Sequence, residues 1–284
     1  MGVHPAPIFR AMDGAAIDGR HKVAGEFSGK VVVVTGGSRG IGRAIAAAFA
    51  REGAQTVLAA SSAENLAAAT KAIVQSGAPE PVTVAGELRK LDACEQLLSA
   101  VNARLKRCDV LVNCAGATRS GNLFDLPDES WLDGFALKFF GCVRLTRLFW
   151  PLLKAARGNV VNIIGGASRT PGAEFLIGGA VNSAMANFSK GLAVLGNRDD
   201  VNVNVIHPGQ TETDRIEQLF QQVAKAQGKT PAQVRAEALA KSGTRRIGRS
   251  EDIAELAVFL CGAHARQIQG TAIAVDGGAT PGLY

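Results

Sequence analysis

From Gly29 onward, short runs of β-branched residues alternate with longer segments whose apolar positions recur at helical spacing. Lys30 to Thr35 holds four consecutive valines, the pattern of a strand covered on both faces. Ile41, Ile45 and Phe49 follow at a spacing of four, one stripe of an amphipathic helix turned towards a sheet. Further strands are predicted at Thr56 to Leu58, Pro81 to Val84, Asp109 to Val112, Asn159 to Ile164, Val201 to Ile206 and Ala272 to Val275, making seven. A helix-length segment separates each from the next. Such alternation demands parallel strands joined by right-handed crossovers: an α/β, single-domain Rossmann fold, its doubly wound parallel sheet carrying helices on both faces. No repeat, linker or low-complexity tract divides residues 27–284, and residues 1–26 read as a flexible tail. The charged stretch from Thr211 to Arg249 is predicted to hold two helices, with Thr230 and Pro231 as N-cap and first helical residue of the second. An excursion of this length between two strands suits a loop that covers a substrate.

Composition narrows the picture. Of 284 residues 47% are hydrophobic and 20% charged, enough apolar material for a large core and too much for a disordered chain. No apolar stretch approaches membrane-spanning length. The net charge of +6 suits an anionic ligand, but the basic residues are dispersed, which argues against a nucleic-acid face. Five cysteines without CxxC spacing, and four histidines, predict no metal site. They fit reduced thiols in a cytoplasmic protein. The first 25 residues include Arg10, Asp13, Asp18 and Arg20 and lack the apolar run of a signal peptide.

Candidate chemistry begins in the first turn, Thr35-Gly36-Gly37-Ser38-Arg39-Gly40-Ile41-Gly42, directly after a strand and opening a helix. Glycines there let the backbone approach a pyrophosphate seated on the helix N-terminus, which makes Gly36, Ser38, Arg39, Gly40, Ile41 and Gly42 candidate cofactor residues. The second strand closes with Ala59-Ala60-Ser61-Ser62, where an acid would read the ribose hydroxyls of NAD(H). With no carboxylate to repel a 2′-phosphate, and with Arg39, Ser61 and Ser62 available to hold one, NADP(H) is favoured over NAD(H).

The stretch Thr35 to Gly42 resembles the TGxxxGxG signature of the short-chain dehydrogenase/reductase family, and Asn113-Cys114-Ala115-Gly116 resembles its NNAG element, with Cys114 for the second Asn. Pro208-Gly209, Thr213 and Asp276-Gly277-Gly278 match later landmarks in order, and the likeness is greatest to the NADP-dependent 3-oxoacyl-thioester reductase branch. The resemblance implies that Glu87 and Leu88 meet adenine, and that Asn113, Ala115 and Gly116 line the adenosine ribose. It places the Thr211 backbone at the nicotinamide carboxamide and Thr213 near the pyrophosphate. It also implies a homo-oligomer, dimer or tetramer, formed through the helices near Ser130 to Lys154 and Gly178 to Leu195.

Where the family carries an Asn-Ser-Tyr-Lys tetrad, this chain departs from it. Counting from Trp131 and from Phe188-Ser189-Lys190, the four positions fall on Lys138, Gly165, Gly178 and Asn182. The sequence contains one tyrosine, Tyr284, at its very end, so no internal YxxxK exists. Lysine stands in the Asn position and asparagine in the Lys position. Lys138 and Asn182 are therefore the catalytic candidates, with Lys138 supplying positive charge or a proton and Asn182 a hydrogen bond. The alternative is that both are structural. Ser168, Cys114 and Cys142 are weaker candidates, and Tyr284 can be imagined reaching a neighbouring subunit. Two glycines in place of larger residues predict a roomier cleft. Three functions stay open: an NADP(H)-binding oxidoreductase acting on a carbonyl/hydroxyl substrate by an atypical mechanism, an inactive cofactor-binding partner or sensor, and a non-redox enzyme reusing the cleft.

Overall fold

The seven apolar runs form β1 (Val31–Thr35), β2 (Gln55–Ala60), β3 (Val82–Ala85), β4 (Val110–Asn113), β5 (Asn159–Ile163), β6 (Asn202–Pro208) and β7 (Ala272–Val275). In the computed structural model, which describes residues 25–281, they pair in parallel in the order β3-β2-β1-β4-β5-β6-β7. The expected tail and Tyr284 fall largely or wholly outside the described residues. Register centres on β1, where Val33 faces Val57 on one side and Leu111 on the other.

All five residues of β1 are buried because its two faces feed two different cores. Val32 and Val34 pack with α1 (Gly40–Arg51), α2 (Ala63–Gln75) and α9 (Ser250–Cys261). Val31 and Val33 pack with α3 (Leu91–Arg104), α5 (Gly141–Ala156) and the inner side of α6 (Leu176–Asp199). The predicted α1 stripe is real: Ile45 and Phe49 are fully buried, and the Phe49 ring meets Phe27 edge-on at 4.9 Å. Truncating a buried phenylalanine of this kind typically costs about 3–5 kcal/mol.

Successive crossovers run outward from β1 towards β3 and, after β4, outward in the opposite direction. The reversal leaves a crevice beyond the C-terminal ends of β1 and β4, where ligands of open α/β sheets bind. Between β4 and β5, the helical stretch expected from Ser130 to Lys154 is interrupted. It consists of α4 (Asp128–Phe135), a π-helical turn at Ala136–Phe140, and α5. The wide turn contains Lys138, and such insertions recur at functional positions.

The excursion after β6 folds as α7 (Asp214–Gln227) and α8 (Pro231–Ser242). Thr230 caps α8 as the sequence predicts, its hydroxyl accepting from Gln233 N at 3.2 Å. Phe220, Ala224, Val234 and Ile247 give this unit its own apolar centre, and a bridge between Thr211 and Gly248 closes its base. Among the described residues no helix is long and apolar enough to cross a membrane, and no cluster of acids, histidines and cysteines can hold a metal ion. All five cysteines are free thiols.

Candidate functional site

The crevice at the switch point is a cleft of about 600 Å³. Its floor is the β1–α1 turn, where Gly36 and Gly40 adopt left-handed φ values of +66° and +49°. The turn is drawn so tight that a Cβ on Gly42 would lie 2.8 Å from Gly36 C and closer still to its oxygen. Only glycine fits there. Helix α1 then starts without a side-chain cap and without an acid in its first turn, so its free N–H groups and partial positive charge face the cleft. Exposed Arg39 stands at its N-cap. A Cβ on Gly40 would touch Thr213 Cγ2 at 3.0 Å, which brings the start of α7 over the glycine turn. Thr213 also caps α7, accepting from Ile216 N at 3.4 Å.

Of the expected cofactor residues, Gly36, Ser38, Arg39, Gly40, Ile41, Gly42, Ser61, Glu87, Leu88, Ala115, Gly116 and Thr213 border this cleft. Three others do not. The Ser62 hydroxyl accepts from Asn65 N at 3.2 Å and serves as the N-cap of α2. Asn113 turns inward, donating to Asn162 Oδ1 at 2.9 Å and Thr146 Oγ1 at 3.3 Å, and ties β4 to β5 and α5. Thr211 is buried with its hydroxyl on Gly209 O at 3.0 Å.

Glu87 reaches the cleft already engaged, because Arg89 Nη1 donates to its carboxylate at 2.8 Å while Arg89 Nε holds Asp133 at 2.5 Å. Arg89, Asp214, Arg215 and Gln218 also border the cleft and were missed by sequence reasoning. The signal for the last three was the cap at Thr213, since the first turn of a helix capped beside the glycine loop must face the same space.

At Gly165 and Gly178, the positions that the resemblance aligns with the family's Ser and Tyr, the space beside each glycine is filled, so the expectation of a roomier cleft does not hold there. A Cβ on Gly178 would lie 2.6 Å from Phe175 Cδ1 and nearer still to Cε1 and Cζ of that ring. A Cβ on Gly165 would meet Asn182 Nδ2 at 2.9 Å. Asn182 is 2% exposed, and its Oδ1 has no hydrogen-bond partner among the described residues. The Lys138 stem lies on Gly116, where a Cβ would be 2.9 Å from Cδ. No hydrogen bond joins Lys138 to Asn182 among the described residues; Lys138 lies against Gly116, just past β4, and Asn182 against Gly165, just past β5.

Burial pushes the Lys138 amine down to about 8, and the nearby Arg215 charge acts in the same direction. Burial also raises Cys114 and Cys142 to about 12, so both are neutral thiols at physiological pH. Ser168 donates within its own loop, to Gly165 O at 3.4 Å. His207 is buried, its Nδ1 on Ile164 O at 2.7 Å, and desolvation holds its pKa below the usual value.

The sequence model of the short chain dehydrogenase family matches residues 30–224, and the chain belongs to that family. It is 32% identical over 258 residues to the 3-oxoacyl-acyl-carrier-protein reductase of Escherichia coli, covering 89% of this chain and 98% of that protein. It is likewise 32% identical over 263 residues to the L-fucose dehydrogenase of Bos taurus, covering 90% and 91% of the two chains. Among solved structures, L-sorbose reductase from Gluconobacter frateurii, complexed with NADPH and L-sorbose, superimposes with a TM-score of 0.87 at 30% identity. That match covers 92% of this chain and 99% of that one.

Proposed function

We propose that this protein is an NADP(H)-dependent oxidoreductase that interconverts a carbonyl and a hydroxyl group without a tyrosine proton donor. The observation that carries the reading is the glycine turn. Its close-packed backbone and the uncapped start of α1 suit a diphosphate, and Arg39 beside Ser61 suits a 2′-phosphate at a strand end that lacks an acid. Relatives crystallised with NADPH support the same cofactor. Gly86 to Leu88 would flank adenine, and Ala115 and Gly116 the adjoining ribose. Bound NADPH supplies a hydride. What the chain adds is alignment, together with a cationic Lys138 near the reacting oxygen in the place of a phenol.

A second reading rests on its own observation. Phe175 and Asn182 fill the volumes from which the family's Tyr and Ser would project, as expected of a chain that keeps the cofactor cleft for binding alone. The substrate-covering role of α7 and α8, the domain limits at residue 27, and a dimer or tetramer built on α4, α5 and α6 belong to the same proposal.

Titration with NADPH and NADH, followed by nicotinamide fluorescence, tests it. Arg39→Ala is expected to weaken NADPH about 10- to 100-fold, the effect of losing a charged hydrogen bond of about 1.5–3 kcal/mol, and to leave NADH unchanged. Equal loss for both nucleotides, or no binding of NADPH by the wild-type chain, would overturn the reading. Binding without turnover across a panel of ketones and alcohols would favour the sensor.

A further inference from the structure

We infer that Lys138 is a nucleophilic amine whose Nζ condenses with the carbonyl carbon of an aldehyde or ketone in the cleft to form an imine. The geometry that points there is a cluster. The π-helical turn holds Lys138 against Gly116, a wall residue of the cleft, and glycine at that position is what lets the lysine stem approach so closely. Among the described residues, its nitrogen makes neither an ion pair nor a hydrogen bond, so no acid is present to fix it as an ammonium. The titratable and charged groups around it are Cys114 beyond β4, Cys142 on α5, Arg215 on α7 and His207 on β6. Both thiols are neutral at physiological pH, and Arg215 adds a second cation. A lysine that is desolvated, or set beside another cation, is the kind that serves as a Schiff-base nucleophile. With the amine near 8, about a tenth is unprotonated at pH 7, against far less than a hundredth for an ordinary lysine. The side chain as a whole is partly exposed, and two of the groups beside the amine, Cys114 and Arg215, border the cleft.

The step balances without oxidant or reductant. The nitrogen lone pair forms the N–C bond as the carbonyl π pair moves to oxygen. One nitrogen proton passes to that oxygen to give a carbinolamine. The second leaves with the hydroxyl as water while C=N forms. Once protonated, the imine draws electrons from the adjacent carbon and loosens a C–H or carboxylate bond there, an activity separate from hydride transfer. The inference needs no dinucleotide, so its failure and that of the proposed cofactor are read in different experiments.

The test uses the full chain without NADP(H), incubated with acetoacetate and sodium cyanoborohydride, with peptide mass mapping of every lysine. Expected is labelling of Lys138 at least about tenfold faster than of exposed Lys71 at pH 7, with a half-point near pH 8. Lys138→Arg is expected to abolish the fast site. Should that variant fail to fold, the comparison between lysines within the wild-type protein still decides. Equal rates at Lys138 and Lys71 would overturn the inference, as would a half-point at the ordinary lysine value.

Discussion

The Phe175 ring lies in the space that a side chain on Gly178 would need, three residues further along the same chain. Phe175 is the N-cap of α6, with φ of −139° and ψ of 41°, and this entry angle folds its ring back over the first turn. The loop before it is anchored from outside, by Gly121 N donating to Glu174 O at 2.9 Å. The space beside Gly178 is therefore not a vacancy. A ring from the preceding loop occupies it, and a larger side chain at position 178 cannot enter without displacing that ring.

This complementarity makes a measurable coupling. Gly178→Ala alone should destabilise the protein by about 1–3 kcal/mol through overpacking. That is the reverse of the gain of about 1 kcal/mol that alanine normally brings to a helix interior. In a Phe175→Ala background the same change should become stabilising. Denaturant unfolding of the four proteins of the cycle measures it, and equal effects in both backgrounds would contradict the packing described.

Asn182 gives a different signature. Its buried Oδ1 has no partner among the described residues, so replacing the side chain by an apolar one of similar size removes a desolvation penalty. Asn182→Leu should leave stability within about 1 kcal/mol of wild type or raise it. Nucleotide affinity should fall if the amide meets the cofactor. A loss of several kcal/mol in unfolding experiments would mean that the amide is paired within the protein.

The strands were legible because a parallel sheet buries both faces, so the four valines of β1 announce themselves without any partner. The glycine turn was legible for a similar reason, since its constraint is local. What the sequence hid depends on partners distant along the chain. Glu87 is expected from the resemblance to meet adenine, but its carboxylate is held by Arg89, and that guanidinium is anchored on Asp133. Ser62 reads equally well as a phosphate donor or a helix cap, and only the start of α2 at Ala63 decides for the cap. The filling of the glycine spaces by Phe175 and Asn182 is a matter of packing, which residue counting does not reach.

Association is a further expected outcome. Leu132 on α4 is 71% exposed and Val194 on α6 is 64% exposed, large apolar side chains on the elements proposed to meet a second copy. Light scattering should give at least a dimer at micromolar concentration, and Leu132→Glu with Val194→Glu should shift it towards monomer. A wild-type monomer would refute this part of the proposal.

Acid stability should carry the mark of Arg246 and Asp252. Arg246 Nη1 and Nη2 donate to the Asp252 carboxylate at 2.6 and 2.9 Å, and Arg249 N adds a third bond at 2.7 Å. These bonds lower the Asp252 pKa to about 2. A carboxylate with a depressed folded-state pKa contributes stability that is complete above its unfolded value, near 4, and is lost as pH falls through the folded value. The wild-type advantage over Asp252→Asn should thus be constant from neutral pH down to about 4 and shrink between 4 and 2. Because Arg246 is more than half exposed, added salt should reduce it too. Thermal unfolding of both proteins across that range checks the sign. An advantage that grew as the pH fell would show that the pair does not hold Asp252 ionised.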